Sequence, residues 1–204
     1  MRTTAIRGTA AAVLFSATVL GLAACVNAEQ SAPPGAGSSV SYGNPPSGPP
    51  TQVDNQHNQA DVTFLNQVVL LRQQTVQLAY LGVQRSTNDK VKSLATKITQ
   101  GQQPPVDTLI AWLRQWGQSA PSSSSPSASQ VPGFLSQSQL QQLSSAQGAT
   151  FDHQWAQNLT GIDQALLKAA QTEQAQGLNG QVKQVAQQLA GNVQSELSQL
   201  GSLS

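Results

Sequence analysis

Val68-Val69-Leu70-Leu71-Arg72-Gln73-Gln74-Thr75-Val76 is the stretch on which the reading of this chain turns. It lies inside a segment from Asp61 to about Arg85. The apolar residues there (Phe64, Leu65, Val68, Leu71, Val76, Leu78 and Ala79) fall mostly three or four apart, the spacing of an amphipathic helix. Asn58 or Asp61 can cap its start, and Ser86-Thr87-Asn88-Asp89 ends it, with Asn88 placed to cap the next helix. That helix carries Val91, Leu94, Ala95, Ile98 and Gln102. Pro104-Pro105 should interrupt it, because proline lacks an N–H and clashes with the preceding turn. The pattern resumes at Val106, Leu109, Ile110 and Leu113 and stops at Trp116-Gly117, where Gly117 suits a C-terminal cap.

The same layout returns after a serine-rich loop, 119–135, and a short helix from Ser136 through Leu140 and Leu143. Thr150 to Gln176 carries Phe151, Trp155, Leu159, Ile162, Leu166, Leu167 and Ala170; Gly177-Leu178-Asn179-Gly180 turns the chain; a last helix carries Val182, Val185, Ala186, Leu189, Val193, Leu197 and Leu200. The two halves superpose at a constant offset of 91 without a gap: Asp61 on Asp152, Phe64 on Trp155, Asn88 on Asn179, Val91-Lys92 on Val182-Lys183, Leu109 on Leu200. Two equal amphipathic hairpins, 59–118 and 136–204 with its short leading helix, imply an all-α four-helix bundle.

Upstream of the helices the composition changes. Arg2 and Arg7 precede an apolar run from Ala10 to Leu22, too short for a comfortable membrane span, so residues 1–24 read as an export signal. The run closes on Leu22-Ala23-Ala24-Cys25, which resembles a bacterial lipobox; the resemblance implies lipidation of Cys25 and cleavage before it. Cys25 is the only cysteine, which excludes an internal disulfide. Two or more acyl chains there would hold the protein stably on the outer face of the cell membrane. Residues 25–58, rich in Ser, Pro, Gly and Asn, read as a disordered tether.

Charged residues are only 9% of the 204-residue chain, glutamine fills 32 positions, and without Arg2 and Arg7 the balance is 8 basic against 9 acidic residues. So weak a field gathers neither nucleic acid nor anionic lipid, which leaves the lipid anchor as the membrane contact and an unspecified protein as the expected partner. Phosphate-loop and dinucleotide fingerprints are absent, the domain has no cysteine nucleophile, and its serines have only His153 as a potential base. An enzyme is not expected, nor a cofactor. Trp112, Trp116 and Trp155 stand at helical spacing, which points to packing ahead of a binding platform.

The marks Asp61-x-x-Phe64-Leu65, Arg72-Gln73-Gln74, Leu94-Ala95-x-x-Ile98, Gln102 and Ala111-Trp112-Leu113-Arg114-Gln115-Trp116-Gly117 run in order through the first half. Pro132-Gly133, Gly148-x-x-Phe151-Asp152, Glu173 with Gly177, and Glu196-Leu197 run through the second. Together they resemble the ferritin-like family of domain of unknown function 305, found in exported bacterial proteins. In that family each hairpin's first helix carries a Met-Ile-x-His-His core and its second a late Met, and some members are associated with copper. Imidazole and thioether suit that soft ion.

Here the family's methionines fall on Val68, Leu159, Leu109 and Leu200, and its histidines on Leu71, Arg72, Ile162 and Asp163. A Glu common after the Gln is Pro105 in the first half and survives as Glu196 in the second. The only methionine is Met1. With the ligands lost, metal binding is not expected; His57, read as solvated, and His153, beside Asp152, are the remaining candidates. Arg72 and Asp163 hold equivalent places, so they either pair inside the bundle or both turn to the surface.

Overall fold

The computed structural model describes residues 52–101 and 105–203. The expected signal sequence, Cys25 and most of the tether lie outside the described residues, as do Gln102 and Pro104. Among the described residues all regular structure is helical: α1 (Gln59–Arg85), α2 (Asp89–Gln100), α3 (Val106–Gln115), a 3-10 turn (Ala128–Gln130), α4 (Gln137–Ser145), α5 (Gly148–Gln176) and α6 (Gly180–Gly201). α1 packs on α2, α3 and α5, and α5 on α6 and α4, so the two long first helices of the hairpins meet at the centre. None of the described helices is long and apolar enough to cross a membrane.

The ends fall where the capping chemistry sets them. Asn58 accepts from the N–H groups of Ala60 and Asp61, and Asp61 answers by accepting from the Asn58 N–H, a reciprocal capping box. Asn88 caps α2 and Asn179 caps α6, as the offset of 91 requires. α3 closes in a Schellman motif: Gly117, at φ 71°, donates to Arg114 O and Gln118 donates to Leu113 O. The halves differ in one respect. The first hairpin's return arm is broken between Gln100 and Val106, with Pro105 extended at the break, whereas α6 runs unbroken.

The serine-rich loop is laid onto the helices. Gln74 of α1 donates through Nε2 to Leu135 O and accepts from Leu135 N through Oε1, both at 2.8 Å. Gly133, at φ 80°, comes so near α5 that an added Cβ would lie 2.6 Å from the Ala165 Cβ. Gln74 and Ala165 are themselves 91 apart, so this loop crosses both halves at equivalent places. All three tryptophans are buried, Trp112 and Trp155 completely. Trp155 donates to Leu78 O at 2.7 Å and lies over Gly82. All three belong to the hydrophobic core cluster.

One boundary differs from the expectation. Residues 52–58, read as the end of a disordered tether, form a strap on the bundle. Val53 is buried, Gln115 Nε2 donates to Val53 O at 2.5 Å, Trp116 Nε1 donates to Asp54 O at 3.0 Å, and Asn179 Nδ2 donates to Asp54 O and Gln56 O. The strap lacks apolar periodicity because its carbonyls, more than its side chains, are what the helices hold.

Candidate functional site

The positions equivalent to the family's metal ligands converge from four helices. Val68, Leu71 and Arg72 come from α1, Leu109 from α3, Leu159, Ile162 and Asp163 from α5, and Leu200 from α6. Spacing of three within α1 and α5 turns each set to one face. Val68, Leu109, Leu159 and Ile162 are completely buried, and Leu71 and Leu200 nearly so. All six belong to one continuous hydrophobic cluster. Their side chains offer no donor atom to an ion.

Arg72 and Asp163 both point inward, at 2% and 0% exposure, which removes the surface reading. Both are inside the bundle as the pairing requires, and Arg72 makes its ion pair with a further acid, Glu196. Arg72 Nη1 lies 3.8 Å from Glu196 Oε1 on α6, and neither Arg72 nor Asp163 makes a hydrogen bond through its terminal Nη or Oδ atoms. Asp163 and Arg72 still act on each other through their charges. Arg72 therefore pairs through a third helix, with the glutamate retained at the position that holds Pro105 in the first half.

Burial governs the electrostatics of this cluster. It lowers the pKa of Arg72, against the raising influence of Glu196 and then Asp163. It pushes the Asp163 carboxyl up to about 8, Glu196 adding to the rise and Arg72 opposing it. Burial raises Glu196 too, against Arg72. At neutral pH Asp163 holds its proton. Glu196 Oε2 is buried without a partner as well. This is a polar island of Arg72, Asp163 and Glu196 inside an apolar core.

A second buried acid pair sits at the end of the bundle that bears the strap. Asp61 accepts from Asn179 N at 2.9 Å through Oδ1 and from Asn58 N at 2.7 Å and Leu178 N at 3.2 Å through Oδ2. Burial alone would raise its pKa; the N–H groups of Asn58 and Asn179, a hydrogen bond with Glu173, and Leu178 N–H outweigh that and hold it low. Glu173 of α5, 1% exposed, fits against Gly177: a Cβ there would stand 1.9 Å from Glu173 Oε1. Its oxygens meet no partner at strict hydrogen-bonding geometry, yet Asp61 is near enough to act on it as acceptor and as like charge. Burial first, then Asp61, pushes Glu173 up to about 8.

The histidines stay apart from both clusters. His57, read as solvated, is half-buried: it stacks on Trp116 with ring centroids 4.2 Å apart and planes 8° from parallel, its Nδ1 2.8 Å from Asn55 O. His153 is exposed on α5. Its neighbour Asp152 accepts from Ser86 Oγ at 2.6 Å, the counterpart in the other half of Asp61's grip on the Asn179 turn. Among the described residues no group of three His, Cys, Asp or Glu side chains is placed to hold a metal ion.

Two participants escaped the sequence reading, and each had a signal. Glu196 was visible as a family glutamate that outlived the ligands around it. Glu173 was visible through its company with Gly177, the residue that makes room for it.

The family profile of the domain of unknown function DUF305 matches residues 61–204. Solved structures share the fold. A DUF305 fragment from Deinococcus radiodurans is 22% identical, at TM-score 0.63, covering 72% of this chain and 96% of that one. A secreted DUF305 protein from Streptomyces coelicolor is 22% identical, at TM-score 0.62, covering 71% of this chain and 89% of that one. CopM in its Cu(I)-bound form is 18% identical, at TM-score 0.59, covering 71% and 95%. A comparison with curated proteins finds none that matches. With the profile spanning both hairpins, their linking loop and the polar island between them, this chain belongs to the DUF305 family.

Proposed function

We propose that this chain is a lipid-anchored, extracytoplasmic helical module that works as a structural or interaction element of the cell envelope, without catalysis. The lipobox-like Leu22-Ala23-Ala24-Cys25 supports the anchor, and the likeness to a secreted family member supports the address. The observation that carries the reading is Arg72. A guanidinium buried to 2% exposure stands where the family places a metal ligand, and it repels a cation instead of donating to one. Around it, Val68, Leu71, Leu159 and Ile162 replace donors by hydrocarbon. The residues present do not fit copper.

The rival reading is copper handling, favoured by the shared fold with CopM, which has been solved with Cu(I) and with Cu(II). Equilibrium dialysis of the protein against Cu(I), Cu(II) and Zn(II) separates the two. The expected result is no stoichiometric uptake. Stoichiometric binding that disappears in His153→Ala would establish the rival. The address is tested separately: Cys25→Ser should abolish lipid labelling and release the protein from membranes, and retention on the membrane would reject the anchor.

A further inference from the structure

The strap and the Asp61–Glu173 pair form one connected device. Asp61 holds the N–H groups of Asn58, Leu178 and Asn179, so a single carboxylate ties the strap's last residue to the turn before α6. Asn179, fixed by that contact and 2% exposed, donates through its side chain to Asp54 O and Gln56 O. The strap is thus gripped at 54, 56 and 58 by groups that depend on Asp61, while Gln115 and Gln181 hold its first residues, 52–54, directly. Behind Asp61 sits Glu173, buried, unpartnered elsewhere, and confined against Gly177.

Facing Glu173 are Asp61 from α1 and Lys183 from α6, the latter favouring ionisation; the turn residues 177–179 carry no titratable side chain. Asp61 is committed as an acceptor to three N–H groups, so the pair's one proton has to reside on Glu173. Two ionised carboxylates cannot share so confined a place, because neither could be hydrated and each would repel the other.

We propose that Glu173 is a proton-operated latch: protonated, it lets Asp61 hold the strap on the bundle, and on losing its proton it drives Asp61 from its N–H partners and releases residues 54–58, with Val53 still held by Gln115. The released segment lengthens the link between the helices and the strap's anchored start by up to five residues, or about 17 Å of extended chain. Release belongs to the alkaline side of neutrality, where Glu173 gives up its proton. The latch does not depend on whether the centre holds a metal or on the lipid anchor.

Hydrogen–deuterium exchange on the full-length protein tests it. Exchange at the amides of residues 54–58, corrected for the intrinsic effect of pH, should accelerate at least about tenfold between pH 6.5 and 9.5, the factor that follows from one proton lost per opening event over a pH unit or more. The central amides of α1 and α5 should stay protected. Glu173→Gln, neutral at every pH, should keep the strap protected throughout. Strap protection that does not change with pH in the natural protein, or that is lost equally in Glu173→Gln, would overturn the latch. A second readout needs no variant: carbon-13 titration of the Glu173 carboxyl should move together with the Trp116 indole N–H, which is bonded to Asp54 O. A Glu173 midpoint below pH 6, or a Trp116 signal indifferent to it, would overturn the proposal as well.

Discussion

Arg72 Nη1 stands 3.8 Å from Glu196 Oε1 across the α1–α6 boundary, although the residue at Arg72's equivalent place in the other half is Asp163. The repeat therefore supplies the burial of both charges, while an asymmetric residue supplies the contact. Breaking such a pair leaves a buried charge uncompensated, and costs about 3–5 kcal/mol. Glu196→Leu and Arg72→Met should each lower the unfolding free energy measured by urea denaturation by an amount in that range. Replacing Arg72, Asp163 and Glu196 together by apolar residues should be neutral or stabilising, because the desolvation cost of all three disappears. A triple variant less stable than either single one would show that the island contributes more than its charges.

The acids make stability depend on pH with a definite sign. Asp163 and Glu173 are each raised to about 8 in the folded state, above their ordinary values near 4. The folded protein therefore binds more protons than the unfolded chain between those limits. The stability these two acids contribute is full below about pH 4, declines as pH rises toward 8, and levels beyond it, while Asp61, held low, loses its contribution in the opposite direction as pH falls. Asp163→Asn should flatten part of this slope and be more stable than the natural protein at pH 9 by at least about 1 kcal/mol, the equivalent of one pKa unit. Urea unfolding at intervals from pH 5 to 9 measures it.

How much of this was legible in the sequence depends on how far apart the partners lie. Asn88 and Asn179 could be read as caps because a cap acts within three residues, and Gly117 as a helix end for the same reason. The burial of Leu71 and Ile162 followed from helical spacing and the offset of 91. The partner of Arg72 did not, since choosing between Asp163 and Glu196 requires the rotation and height of α6 against α1, which no periodicity sets. The strap was lost for a different reason. Its composition is that of a disordered segment, and the groups that order it, Gln115, Trp116 and Asn179, are 60 or more residues away.

Two glycines on the long helices should answer substitution in opposite ways. A Cβ on Gly82 would lie 2.8 Å from Cε2 and Nε1 of the Trp155 indole, with no open side to move toward. Gly82→Ala should cost roughly 1–3 kcal/mol, as overpacking does, and shift the emission of Trp155. Gly161 meets nothing within 4 Å and sits in mid-helix on the exposed face of α5. Gly161→Ala should stabilise by roughly 0.5–1 kcal/mol through helix propensity alone. Thermal unfolding of the two variants side by side checks both signs.

The loop between the halves depends on one amide. Gln74 is 4% exposed and exchanges two hydrogen bonds with the backbone of Leu135, as one strand residue does with another, so an otherwise serine-rich segment is held at a fixed height on α1. Truncation to alanine would strand both Leu135 groups in a buried place, at a cost of about 1–3 kcal/mol. Gln74→Glu is the sharper test. It keeps the shape and the acceptor for Leu135 N but loses the donor to Leu135 O, and it adds a buried charge. At pH 7 it should destabilise at least as much as Gln74→Ala; at pH 4, where the carboxyl can hold a proton and donate again, it should recover most of the difference. Exchange at the Leu135 amide across that range reports the recovery at the contact itself.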